Sequence, residues 1–113
     1  MSIKELIEKF KDAPPDRILL KELVIKAEII NVPEKSLLSG YIILGDDTGT
    51  LEAVAPNNVL YDQLKFWVSK KNTLKLKGHL DKTEYGNIAF EIEEILEWIK
   101  NLDEKIERAF GKK

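Results

Sequence analysis

The apolar positions of this chain change their period along its length, and each change marks an element. Ile3, Leu6, Ile7 and Phe10 fall at the spacing of one helical face. Ser2 stands ahead of them with Glu5 three residues on, the pair that satisfies two amides reciprocally at a helix start. Pro14 and Pro15 stop the run, so a helix over 2–13 is predicted. From about residue 20 to 32 the period becomes two. Leu23, Ile25, Ala27 and Ile29 alternate with Glu22, Val24, Lys26 and Glu28, the pattern of a long strand with one buried face. Pro33 ends it and 34–40 reads as a loop.

Residues 41–44 and 50–55 read as the arms of a hairpin joined through Gly45-Asp46-Asp47-Thr48-Gly49. Gly49 is expected at positive φ, with Asp and Thr side chains bonding the amides of the turn. After Pro56, Asn57 or Asn58 can cap a helix reaching about residue 70, with Leu60, Leu64, Trp67 and Val68 on one face. Two strands follow. Leu74, Leu76, Gly78 and Leu80 alternate with Lys75, Lys77, His79 and Asp81, and Ile88, Phe90 and Ile92 alternate with Ala89, Glu91 and Glu93. Between them lies an 82–87 loop containing Tyr85 and Gly86. Ile95, Ile99, Leu102, Ile106 and Ala109 then step by four and three, which predicts a closing helix over 95–110 with Trp98 and Phe110 widening its apolar face. The order predicts an all-β core with flanking helices: a five-stranded Greek-key barrel with a helix between strands three and four, and helices at both ends. The segment after the first strand is too short for the crossover an α/β sandwich needs.

Length and composition narrow the class. The 113 residues make a single domain able to bury a core without disulfides, and there are no cysteines to form any. No stretch approaches the apolar length of a membrane helix, and the N-terminal segment lacks a signal-peptide core. An intracellular, cytoplasmic, soluble protein is expected. Lysine and glutamate dominate the charge, and Arg17 and Arg108 are the only arginines, which is the surface style of hyperthermophile proteins. The net charge is −2, so any basic surface that binds a phosphate backbone must be local.

Three segments resemble the OB-fold nucleic-acid-binding family, including its replication protein A and anticodon-binding types. Residues 41–54 are similar to that family's second and third strands around a D-x-T-G turn, 74–80 to its fourth strand with a characteristic glycine, and 85–95 to its loop and fifth strand. The resemblance covers residues 20–98. It departs from the family at Ala27, where a glycine often bends the first strand, and at Lys70-Lys71-Asn72, where a glycine often precedes strand four. It implies an OB barrel that binds single-stranded nucleic acid, DNA ahead of RNA, as a subunit or accessory factor of a replication or repair assembly. The alternative is an OB domain that serves only as a protein-interaction subunit.

The resemblance places the ligand across strands two and three, between the loops joining strands one and two and strands four and five. Tyr41, Ile43 and Val54 then face outward onto that surface. Tyr41 and Tyr85 are the candidates for stacking on bases, and Lys26, Lys35, Lys75, Lys77 and Lys82 are the candidates for phosphate contact. Glu52, Glu91 and Glu93 are expected on the same outer face and oppose a polyanion there. Ile99, Leu102, Ile106 and Phe110 are the candidates for a seam that binds a protein partner or a second copy. No catalytic residue, cofactor or metal is expected, since the single histidine, His79, has no second histidine to join it. Asp47-Thr48-Gly49 matches the triplet of dimeric aspartic proteases. The supporting apolar-apolar-glycine segment is missing, and a structural turn explains the residues better.

Overall fold

A computed structural model describes residues 2–33, 40–68, 70 and 72–100. The first helix, α1 (Ile3–Phe10), starts at the expected capping box: Ser2 Oγ accepts from the Glu5 amide, and the Glu5 carboxylate accepts from the Ser2 amide. Ile3 and Leu6 are buried, while Ile7 and Phe10 pack more loosely on the same core. The second helix, α2 (Asn58–Phe66), is capped by Asn57, whose side chain accepts from the Leu60 amide at 2.8 Å. Leu60 and Leu64 are its buried residues.

Five strands close into a barrel in the order β1-β2-β3-β5-β4. They are β1 (Arg17–Asn31), β2 (Tyr41–Asp46), β3 (Gly49–Val54), β4 (Asn72–Lys82) and β5 (Ile88–Lys100). The β3–β5 pair is parallel and every other pair antiparallel, so the barrel is mixed. Alternation sends Ile25, Ala27 and Ile29 inward from β1, Ile42 and Leu44 from β2, Leu51 and Ala53 from β3, Leu74, Leu76 and Leu80 from β4, and Phe90 and Ile92 from β5. Burying each of the leucine, isoleucine and phenylalanine side chains among them stabilises by roughly 1.5–3 kcal/mol, so this inner set dominates the fold's energetics. Among the described residues no helix is long and apolar enough to cross a membrane.

Two bulges explain where the sequence pattern misleads. The predicted closing helix begins inside β5: Ile95 pairs with Leu76, Glu97 with Lys75 and Trp98 with Leu74. Register shifts between Lys77 and Gly78, and again between Lys75 and Leu76, each leave one extra residue on β5. An extra residue in a strand sets neighbouring inward positions three apart instead of two. Ile92 and Ile95 therefore mimic a helical step while both face the core. Ile99 sits in the same strand, opposite Thr73, and so is not on the expected helical seam; Leu102, Ile106 and Phe110 lie outside the described residues.

Gly78 fits the first of these bulges. A Cβ there would stand 1.9 Å from the Glu91 carbonyl oxygen, a contact with backbone that cannot yield. The β2–β3 turn differs from expectation in one respect. Among the described residues the glycines at positive φ are Gly40 and Gly86, not Gly49, because Gly49 is already paired with Asp46 as the first residue of β3.

Candidate functional site

The outer face of β2, β3 and β5 carries a cleft roofed by the β4–β5 loop. Tyr41 and Val54 are register partners, as are Ile43 and Glu52, and Glu52 is in turn level with Ala89 on β5. The loop turns back on itself through Gly86 N–H to Thr83 O and Thr83 N–H to Asn87 O bonds, with Gly86 at φ 87°. This turn carries Tyr85, 84% exposed, to the edge of the sheet. Tyr41, Val54, Ala89, Thr83 and Tyr85 thus enclose an apolar cleft of about 250 Å³ with Glu52 and Glu84 at its rim.

Glu52 and Asn87 also line a second groove of about 420 Å³, which runs on past Ile43 and Ile88 to Ile7 of α1 and to Lys11 just past its end. The two depressions form one path across the strands. Tyr41, Ile43, Val54 and Tyr85, chosen from the sequence for an outward surface, all lie along it. Burial pushes the Tyr41 hydroxyl above its ordinary pKa, and the Glu52 carboxylate, by its charge and by accepting the phenol's hydrogen bond, pushes the same way.

The lysines are arranged differently from the expected phosphate track. Lys82 continues the inward parity of Leu74, Leu76 and Leu80, and only 6% of it is exposed. Its Nζ donates to the carbonyls of Phe10 at 3.1 Å and Lys11 at 2.6 Å. Its ammonium is thus engaged at the end of α1, where a cation is favoured, although the residue also lines the second groove. Lys77 lies 4.0 Å from Glu94, and Lys75 stands across from Glu97, so carboxylates on β5 face the basic stripe. Lys26 is paired in register with Lys75 between β1 and β4, away from the β2–β3–β5 wall that carries the cleft. Lys35 lies outside the described residues.

Asp46, not Asp47, organises the hairpin turn. Its Oδ1 accepts from the Thr48 amide at 2.7 Å, the Thr48 hydroxyl at 2.5 Å and the Gly49 amide at 3.2 Å, and its Oδ2 accepts from the Ile3 amide at 2.9 Å. Burial alone would raise this carboxyl, but those hydrogen bonds outweigh it and hold its pKa below the ordinary value. Asp47 is exposed at the tip of the turn.

His79 is surrounded by acids that the sequence reading did not bring to it. Its ring contacts Asp81, Glu91 and Glu93, and one donor atom from each of His79, Asp81 and Glu91 lies within 4.8 Å of the others. The signal was present in the parity, since all four residues occupy outward positions. The β4–β5 register that joins them is not a local property. No protein-family model matches the chain, and no curated protein matches its sequence.

Proposed function

We infer that the chain is an OB-type barrel that binds single-stranded nucleic acid, DNA ahead of RNA, along the path over β2, β3 and β5, gripping bases by stacking more than phosphates by charge. The observation that carries this reading is the convergence of Tyr41, Val54 and Tyr85, from two strands and a loop, on one apolar cleft. The strand order, the parallel β3–β5 contact and the position of α2 between β3 and β4 support the OB reading of the barrel. A half-covered tyrosine and an 84%-exposed one lining the same cleft suit the stacking of a base, and each such stack contributes roughly 1–3 kcal/mol. With Lys82 committed to α1 and Lys77 facing Glu94, two of the lysines expected along the backbone are otherwise engaged. Affinity is then modest and only weakly dependent on salt.

Fluorescence anisotropy with an unstructured labelled oligonucleotide, at low and moderate salt, tests this. Binding that weakens by roughly 1–3 kcal/mol in Tyr85→Ala is expected. Absence of binding at low salt, or equal binding by that variant, overturns it. The second reading, a protein-interaction subunit, is favoured by one specific observation, the carboxylates of Glu52 and Glu84 on the rim of the cleft. It takes over if oligonucleotides fail to bind.

A further inference from the structure

His79 is the only histidine of the chain, and carboxylates from two strands enclose its ring. Asp81 follows it on the outward face of β4, and Glu91 stands directly across from it on β5. The Nε2 atom lies 2.5 Å from Glu91 Oε2 and 3.2 Å from Asp81 Oδ2, while Nδ1 lies 3.5 Å from Glu93 Oε2. The two nitrogens therefore have different surroundings. An Nδ1–H directed at a carboxylate is the arrangement that fixes the imidazole tautomer and leaves the Nε2 lone pair as a metal donor. In the tautomer protonated at Nδ1, the Nε2 lone pair faces the oxygens of Asp81 and Glu91, and such an array of donors repels itself unless a cation stands among them. A proton on Nε2 points at one carboxylate at a time, whereas a divalent ion takes a donor from all three residues.

A separate observation points the same way. The other oxygen of Asp81, Oδ1, is buried with no hydrogen-bond partner among the described residues, so the carboxylate gains from a nearby cation. The spacing also fits. Donors about 2.0–2.2 Å from a tetrahedral zinc ion stand roughly 3.3 Å apart. The Nε2–Asp81 separation already has that value. Glu91, with 39% of its side chain exposed, needs to draw back by less than about 1 Å to match it.

We propose that His79, Asp81 and Glu91 form a binding site for a first-row divalent cation of the zinc type. One imidazole nitrogen and two carboxylates are the borderline donor set such ions prefer over magnesium or calcium. Three protein donors leave a further position for water or for an anionic oxygen of a ligand. The site adjoins the cleft: Glu91 is level with Val54, and Ala89, which lines the cleft, is the preceding outward residue of β5. A bound cation places positive charge beside the acidic rim.

The single imidazole makes the test direct, because its magnetic resonance signals report this site alone. The full chain, stripped with chelator, is titrated with zinc chloride while the His79 ring resonances are followed, with magnesium chloride as the control. Saturable ring shifts at one equivalent of zinc are expected, with none from magnesium. By calorimetry, His79→Gln and Glu91→Gln should each bind zinc at least tenfold more weakly. Unshifted ring resonances in the wild type at millimolar zinc overturn the site, and so does an unchanged zinc affinity in His79→Gln. The wild-type titration decides the matter even if a variant fails to fold.

Discussion

The Asp46 carboxylate accepts a hydrogen bond from the Ile3 amide at 2.9 Å, tying the β2–β3 turn to the first turn of a helix 43 residues earlier in the chain. At the other end of the same helix, the Lys82 ammonium holds the carbonyls of Phe10 and Lys11. An anion at the N-terminus and a cation at the C-terminus are the charges the helix dipole favours. So α1, too short to be stable alone, is fixed across the barrel by its two ends as well as by Ile3 and Leu6.

Removing the anion should therefore loosen both the turn and the helix. Asp46→Ala is expected to cost about 1.5–3 kcal/mol, the range for hydrogen bonds to a charged group. Asp47→Ala, at the exposed tip, should stay within about 0.5 kcal/mol. Urea unfolding of the two variants beside the wild type checks the contrast, and equal losses would mean that Asp46 does not organise the turn.

The same carboxylate predicts a pH dependence. Its folded pKa lies below the ordinary 3.8, so the stability it contributes is fully present above that value and disappears as pH falls through the lowered one. Asp46→Asn has no such charge to lose. The stability gap between wild type and Asp46→Asn should be constant from neutral pH to about pH 5 and narrow below about pH 4. Denaturant midpoints across that range measure it, and a gap that widens toward acid would contradict the direction of the shift.

Lys82 separates a structural role from a nucleic-acid role. Lys82→Met keeps the apolar stem but removes the ammonium from the Lys11 and Phe10 carbonyls, the latter keeping its bond from the Ala13 amide, at an expected cost of about 1–3 kcal/mol. Below the unfolding transition, the salt dependence of oligonucleotide binding should be unchanged, since a phosphate contact would add about 0.7 to the slope for a single strand. A shallower slope in Lys82→Met would restore Lys82 to the binding surface.

Gly78→Ala places a methyl group against the Glu91 carbonyl at the β4–β5 bulge. A destabilisation of about 1–3 kcal/mol is expected from forcing the strands apart. Gly86→Ala should also destabilise, for a different reason: its methyl meets nothing within 4 Å, but its φ of 87° disfavours any side chain. Thermal unfolding of the pair separates steric overlap from backbone strain. Only Gly78→Ala should also perturb the amide resonances of β5 around Glu91.

Glu52→Gln tests the wall of the cleft. Without the neighbouring negative charge, the raised pKa of Tyr41 should move back toward its ordinary value, as read by ultraviolet titration. Removal of a carboxylate from the path should also strengthen oligonucleotide binding. If binding weakens instead, Glu52 contacts the ligand directly.

The sequence by itself determined which side of each strand meets the core, because alternation is a property of neighbours along the chain. The inward sets of Ile25, Ala27 and Ile29, or of Leu74, Leu76 and Leu80, were legible before any pairing was known. The caps at Ser2 and Asn57 were equally legible, since each acts on amides three residues away. The outward positions of Tyr41, Ile43 and Val54 followed from the same parity. Lys82 was legible in principle, sharing the parity of Leu80, but its partners on α1 were not. What only the tertiary structure decided were the relations between distant residues. The strand β5 continues through Ile95 and Ile99, where the apolar spacing predicted the start of a helix, because β4 offers a ladder that runs on to Lys100. The β4–β5 register set Glu91 against His79, and the β2–β3 turn brought Asp46 to Ile3. Register and docking arise from closing the barrel, which a period counted along one strand does not contain.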